Sequence, residues 1–318
     1  MAVQLGSLFK LALGVSLSEA SFAKRGFWYG ETTVRDHLEC VGMSFLKGYN
    51  LALEDQGIAA LSEKLEEIEN EFRGFAYEGA AMTLAMLDRL IPWKKTRLQT
   101  FIDGPGSPHI FMVYVGAGWS LARLPFRSQE ALAKPDPVLR WLEIDGYGFH
   151  EGFFHWPKSI KKQVRARRFT GYASRAFDQG LGRSLWFVEG TDVERIASTI
   201  RKFPDHRQAD LWSGVGLACA YAGGADRSAA ELLRRSACCY QNHLAQGAAF
   251  AAKTRQRAKN PTANTDSVCQ SLCGVSADEA ALITDTTRVG LPESGPVPAY
   301  EVWRQRIQTQ FSRIQNHD

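Results

Sequence analysis

The chain lacks most of the short motifs that assign a function to a sequence. It has six cysteines, none of them spaced as CxxC, which excludes a zinc ribbon or a disulfide framework as the basis of the fold. The GxSxG elbow of α/β-hydrolases is missing. No run approaches the roughly 18 apolar residues of a membrane-spanning helix. We therefore expect a protein of the reducing cytoplasm without a membrane span.

An excess of one charge is also lacking. The 38 basic and 34 acidic residues leave a formal net charge of +4, which does not indicate a nucleic-acid partner. The apolar fraction of 45% and the charged fraction of 23% are ordinary for globular proteins. No proline- or serine-rich linker divides the chain. We predict a single domain over residues 1–318.

The sequence contains neither a phosphate loop nor an evident metal site. Gly146 and Gly148 resemble a GxGxxG fingerprint, but the third glycine is missing. His150 and His155 are five residues apart, which would place them on different faces of a helix, and Glu151 would point elsewhere. We therefore predict no metal and no cofactor.

The N-terminal segment, residues 1–30, carries a short amphipathic stripe. Leu5, Leu8, Phe9 and Ala12 follow helical spacing, and Lys10 interrupts the apolar run. The segment lacks the basic leader of a signal peptide. We expect it to pack on the protein's own core, with membrane contact as the less favoured alternative.

Glycine pairs recur along the chain at a nearly constant step. Gly116 and Gly118 begin the series, and pairs at 146/148, 180/182 and 214/216 follow at steps of 30, 34 and 34 residues. Gly247 lies 33 residues further on. Glycine costs a helix roughly 0.5–1 kcal/mol relative to alanine, a cost that stacked helices offset by approaching closely. The register resembles tetratricopeptide-type helical pairs.

These patterns predict an all-α fold of stacked, solenoid-like helical pairs between about residues 110 and 260. Upstream, Glu54 to Phe72 reads as one amphipathic helix. Residues 109–118 permit a strand, but their place in the glycine series favours a helix. A final helix is predicted from about Glu301 to Ile314, within residues 300–318.

Polar side chains beside small and aromatic residues are the candidates for chemistry. We predict acid, base or polarising roles for Tyr77, Glu78, His150, Glu151, Asp178 and Arg183. A hydrophobic ligand would pack on Trp119, Tyr147, Phe149, Trp186 and Trp212. The alternatives are purely structural roles: core packing for the rings and helix capping for Asp145, Asp178 and Asp210. For the aspartates, capping is the favoured role.

Several stretches together resemble one known family. They include RGFAYEGAAM (73–82), DPVLRWLEIDGYGFHEGFF (136–154), DQGLGRSLWFVEGTD (178–192), ADLWSGVGLACAYAGGA (209–225) and PAYEVWRQRI (298–307). They are similar to the UnbL-like domain-of-unknown-function proteins encoded beside enediyne polyketide synthases. The resemblance runs in order over nearly the whole chain.

The resemblance implies a role in natural-product biosynthesis. The partner would be a hydrophobic, linear polyene or polyketide intermediate, and the step would be maturation or cyclisation of the enediyne core. Whether the protein is itself a polyene-processing enzyme or cyclase, or a subunit of one, stays open. The alternative is a non-catalytic helical-repeat scaffold or chaperone for companion biosynthetic proteins or a carrier protein.

Overall fold

The computed structural model describes residues 9–54, 56–91, 96–124, 136–166 and 169–315. Its first helices are α1 (Phe22–Arg25), α2 (Thr32–Leu53), α3 (Ile58–Glu66), α4 (Asn70–Leu90), α5 (Arg97–Asp103), α6 (Ile110–Arg123) and α7 (Trp141–Phe154). The chain continues through α8 (Tyr172–Val188), α9 (Val193–Arg201), α10 (Asp205–Ala222), α11 (Arg227–Ser236), α12 (Gln241–Ala258), α13 (Ala263–Cys273), α14 (Ala277–Arg288) and α15 (Ala299–Gln315). These ranges contain no strand, and the predicted all-α fold is confirmed.

The contacts group into two compact units. Unit 1 comprises residues 1–26 and 39–147, and unit 2 comprises residues 27–38 and 148–318. The single domain expected from the sequence stays a prediction.

In unit 2 the long helices α8, α10 and α12 lie side by side and run in the same direction. Arg175 near the start of α8 contacts Asp210, and Trp186 near its end donates a hydrogen bond to the Gly223 carbonyl. Helices α10 and α12 are parallel as well: Ser213 contacts Gln246, and further along both helices Tyr221 contacts Arg255. Parallel neighbours about 34 residues apart are the arrangement that stacked helical pairs require.

Glycines make this close stacking possible. A Cβ at Gly182 would overlap the Leu211 carbonyl oxygen of α10, and one at Gly214 would overlap the Gln179 carbonyl oxygen of α8. Gly216, two residues after Gly214, instead faces α12, where a Cβ would lie 2.8 Å from the Leu244 carbonyl carbon. Residues two apart on a helix point about 200° apart. A GxG pair therefore opens opposite sides of one helix to its two neighbours.

Unit 1 uses the same device. Gly116 of α6 faces the Glu78 carbonyl of α4, and Gly118 faces the Glu143 carbonyl of α7. Gly48 of α2 and Gly79 of α4 pack on each other's helices and belong to the same pattern. Residues 110–118 belong to α6 and His109 ends the 3-10 helix before it, so the helical interpretation of that stretch is confirmed.

Shorter helices connect the long ones. In α9, the residues Val193, Ile196, Ala197 and Ile200 are buried at the i, i+3, i+4, i+7 spacing of an amphipathic helix. Asp192 caps this helix by accepting a hydrogen bond from the Arg195 amide at 2.9 Å. The pairs α8–α9, α10–α11 and α12–α13 thus confirm the predicted stacking of helical pairs.

Two segments differ from expectation or lie partly outside the described residues. The predicted helix from Glu54 to Phe72 is wrong: α2 ends at Leu53, α3 covers Ile58–Glu66, and α4 begins at Asn70. Of the N-terminal stripe, Leu5 and Leu8 lie outside the described residues.

No helix in the described part of the chain is long and apolar enough to cross a membrane. The C-terminal helix is confirmed as α15.

Candidate functional site

Unit 1 contains a groove that is open to solvent and has a volume of about 930 Å³. Its walls come from the N-terminal segment, α2, the end of α3 and the start of α4. The apolar residues of the lining are Val15, Leu17, Met43, Leu51, Ile68 and Phe72. The polar and charged residues of the lining are Lys10, Cys40, Ser44, Lys47, Asn50, Glu54, Lys64, Glu67 and Glu69.

The N-terminal wall is fixed by hydrogen bonds to α2. The Asn50 amide pairs with the backbone of Val15 in both directions, accepting from its N–H at 3.1 Å and donating to its carbonyl at 2.8 Å. The Tyr49 hydroxyl donates to the Leu13 carbonyl at 2.9 Å. From Leu13 onward, therefore, this segment is bound to α2, whereas Leu11 and Ala12 are exposed, so the expected packing of the apolar stripe on the core stays a prediction.

One carboxylate organises the charge at the rim of the groove. Lys64 and Lys10 approach Glu54 at 2.6 and 3.0 Å. The hydrogen bond from Lys64, with further help from Lys10, lowers the pKa of Glu54 below its ordinary value. Glu54 is thus ionised at neutral pH and holds both lysines beside the apolar side chains of the lining. Such a site suits an elongated apolar molecule with a polar or anionic end.

None of the predicted site residues lines this groove. In unit 1, Trp119 and Glu78 come together, because the indole N–H donates to Glu78 Oε1 at 3.0 Å. Tyr77 stacks on His109 and donates to Glu66 at 2.8 Å. Burial, together with the Glu66 carboxylate, raises the pKa of Tyr77 to about 12. Tyr147, on α7, is buried.

In unit 2, two of the predicted residues form a cation–π pair. The Arg183 guanidinium lies 4.7 Å from the Phe149 ring centre. Trp186 and Trp212 are buried in α8 and α10. Asp178 receives two hydrogen bonds from Arg207, at 2.9 and 2.5 Å. The predicted residues of this unit are therefore distributed over several separate contacts.

The expected divergence of His150, Glu151 and His155 is wrong. Glu151 Oε1 lies 3.3 Å from His150 Nδ1 and 3.1 Å from His155 Nδ1. Helix α7 ends at Phe154, and the chain bends before the π-helical turn Pro157–Lys161. Because His155 follows Glu151 by four residues, the two side chains lie on the same helical face, and with His150 they form a compact cluster.

The favoured capping role of the aspartates is also wrong. Asp145, Asp178 and Asp210 lie inside helices α7, α8 and α10 and are almost fully buried. The two in unit 2 are paired reciprocally. Arg207 of α10 binds Asp178 of α8, and Arg175 of α8 binds Asp210 of α10 at 2.9 Å. Burial raises the pKa of Asp178, despite Arg207.

A buried network extends from Asp210 to the C-terminal helix, and sequence reasoning missed it. Arg304 of α15 is fully buried and contacts Asp210 at 2.8 Å and Glu301 at 3.0 Å. Arg175 also forms ion pairs with both of these carboxylates. Burial disfavours the charged form of Asp210, but Arg304 and Arg175 outweigh it and lower the pKa. These charges are paired with one another, as buried charges must be, and they anchor α15.

The groove residues were missed as well. The mixed apolar and charged spacing between Glu54 and Phe72 was visible, but it was assigned to the surface of one helix. The turn at Glu67–Glu69 and the packing of the N-terminal segment on α2 bring Met43, Ile68 and Phe72 to one surface. No local pattern encodes that contact.

These features define an all-α protein of stacked helical pairs with an open groove lined by both apolar and charged side chains. The family model described as "Protein of unknown function (DUF1702)" matches residues 4–311, and the chain belongs to this family. The expected membership in a domain-of-unknown-function family is thereby confirmed. No curated protein and no solved structure matches the chain.

Proposed function

We propose that the protein binds a hydrophobic, linear polyene- or polyketide-derived intermediate in the groove of unit 1 during natural-product biosynthesis. The observation that carries this proposal is the groove itself. Its volume of about 930 Å³ lies within the range of small-molecule sites. Its lining combines apolar side chains with Lys10 and Lys64, which converge on Glu54.

The assignment to enediyne core maturation or cyclisation rests on the sequence resemblance alone. In this proposal the protein is a polyene-processing enzyme or an obligate subunit of one, and it works in the cytoplasm. All six cysteines are unpaired, which is the state expected in a reducing compartment. The exposed Lys158, Lys161 and Lys162 offer a surface for the phosphate-bearing arm of a carrier protein.

Binding can be tested with a conjugated tetraene fatty acid, whose fluorescence rises in apolar surroundings. The full chain should bind this probe saturably. Met43→Trp fills the groove from the half-buried face of α2 and should weaken binding at least about tenfold. Leu282→Trp, at a side chain that is 59% exposed on α14, is the matched control and should bind normally. Equal binding by all three proteins would remove the groove from the proposal.

The biosynthetic role needs a test in the producing cell. Deletion of the gene should abolish the mature core product, and wild-type protein should restore it. Normal product in the deletion strain would count decisively against this function. Metabolite profiling of the deletion, beside deletions of neighbouring genes, would show which intermediate accumulates.

The second candidate is a non-catalytic scaffold or chaperone for companion biosynthetic proteins. One observation favours it: Asp178, a residue predicted to carry the chemistry, is held in an ion pair by Arg207. Stacked helical pairs also present extended surfaces to partners. Complementation by Met43→Trp separates the two proposals, because a scaffold would keep its activity with the groove filled.

A further inference from the structure

A second candidate site lies at the C-terminal end of α7. His150 and Glu151 occupy its last turn, and His155 follows directly after its end. The two imidazole Nδ1 atoms flank one carboxylate oxygen, Glu151 Oε1, at 3.3 and 3.1 Å. All three donor atoms lie within 4.8 Å of one another. The cluster belongs to unit 2, and the inference drawn from it does not rest on the proposed function.

The backbone holds this arrangement in place. The Ser159 hydroxyl donates to the Glu151 carbonyl at 2.8 Å and to the His155 carbonyl at 3.0 Å. The His155 amide donates to the Glu151 carbonyl at 3.0 Å. On the other side, Gly152 allows α7 to pack directly against Ser184 of α8. The positions of Glu151 and His155 are thus fixed relative to each other before any ligand binds.

The donor separations match those of a coordinated transition metal. Zinc binds imidazole nitrogen at about 2.0–2.1 Å and carboxylate oxygen at about 2.0–2.2 Å. Two donors at a tetrahedral angle around such an ion are therefore about 3.3 Å apart. The two nitrogen–oxygen distances of the cluster, 3.3 and 3.1 Å, equal this separation. The two imidazole nitrogens, which lie within 4.8 Å of each other, would close around an ion as it replaced the two hydrogen bonds.

The donor types select the kind of ion. Two imidazoles with one carboxylate suit zinc and the other first-row divalent transition metals, whereas magnesium and calcium prefer oxygen ligands alone. Three protein donors leave coordination positions open, as in catalytic rather than structural sites. Exposure of the side chains rises from 4% at His150 through 16% at Glu151 to 54% at His155. An ion can therefore enter from solvent while its innermost ligand stays buried.

We propose that His150, Glu151 and His155 bind one divalent transition-metal ion, with positions left open for water or an exogenous ligand. The exposed Lys158 and Lys161 lie in the following turn and oppose the binding of a cation. We therefore expect a dissociation constant in the micromolar range. The same two lysines favour an anionic group as the exogenous ligand.

The test uses the untagged full chain, freed of metal with a chelator. Zn²⁺ alone is titrated by calorimetry, and Co²⁺ alone is followed by its visible absorption bands. We expect one ion per chain. Glu151→Gln and His155→Ala should each weaken binding at least about tenfold. His206→Ala removes an exposed histidine of α10 and is the matched control, expected to bind like wild type.

His155 is the most informative position, because its exposed side chain can be removed without opening a cavity. Thermal melts of metal-free protein should show the same fold for His155→Ala and wild type. Zn²⁺ should then raise the melting temperature of wild type and of His206→Ala, but not that of His155→Ala. Absence of stoichiometric binding to wild type would overturn the proposal. So would binding that Glu151→Gln and His155→Ala leave unchanged.

Discussion

Substitution of Gly148 by alanine is expected to destabilise unit 2, although alanine is the better helix former. A Cβ at this position would overlap the carbonyl oxygen of Phe177 on α8. It would also lie 2.9 Å from the Phe177 carbonyl carbon and 3.1 Å from its Cα. All three atoms belong to the backbone, so no change of rotamer relieves the overlap. The two helices must move apart instead.

The cost follows from the size of that movement. Ordinary carbon contacts begin near 3.5 Å, so α7 and α8 must separate by roughly 1 Å at the crossing. A gap of this size forfeits up to about half of the dispersion energy of the contacts that it opens. Overpacking typically costs about 1–3 kcal/mol, and alanine returns about 0.5–1 kcal/mol of helix propensity. We expect Gly148→Ala to lower the free energy of unfolding by about 1–2 kcal/mol and Gly148→Leu by more.

Equilibrium unfolding in urea measures this difference. Gly295→Ala is the control, because the nearest atom to a Cβ at Gly295 is the Val297 carbonyl oxygen at 3.8 Å. It should stay within about 0.5 kcal/mol of wild type. If Gly148→Ala were as stable as wild type or more stable, helix propensity would dominate. The explanation of the glycine pairs as helix contacts would then fail.

Three further predictions concern buried charge and the predicted site. Arg304→Met leaves Asp210 and Glu301 with less compensating charge and should cost about 3–5 kcal/mol in urea unfolding, or prevent folding. Burial raises the pKa of Glu143 from 4.5 to about 8, so the folded state holds a proton that the unfolded state releases. The free energy of unfolding therefore falls as pH rises from about 4.5 to 8, and Glu143→Gln should match wild type at the lower pH and exceed its stability at the higher. His150→Ala should lose product formation in complementation and, because the His150 side chain is buried, should also lower the melting temperature, whereas full product would remove His150 from the candidate residues.

The repeat could be predicted because its cause is local to each helix. Glycine inside a helix is costly unless another helix uses the space, and recurrence near 34 residues identified which helices stack. The neighbour of each glycine in a pair follows from the angle of about 200° between residues two apart on a helix, as Gly214 and Gly216 show.

The roles of the acidic residues could not be predicted in the same way. An aspartate beside small residues satisfies the local rule for a helix cap. Asp178 instead sits within α8, and its partner Arg207 is 29 residues away on the next long helix. Which rule applies depends on the stacking register, because only a parallel neighbour at the right offset brings that guanidinium to the carboxylate. The stacking register of the helices must therefore be known before any polar side chain can be assigned to a site.

The groove also depends on contacts between residues that are far apart in the sequence. Its far wall exists because the Asn50 amide binds the Val15 backbone, a contact that spans 35 residues. The His150–Glu151–His155 cluster is the local counterpart, since Glu151 and His155 are four residues apart and lie on the same helical face. The five-residue spacing of the two histidines hides this proximity, because each imidazole contacts Glu151 and not the other's position on the helix. Candidate ligands on a helix are thus better judged from every i,i+4 pair among them than from the spacing of the histidines alone.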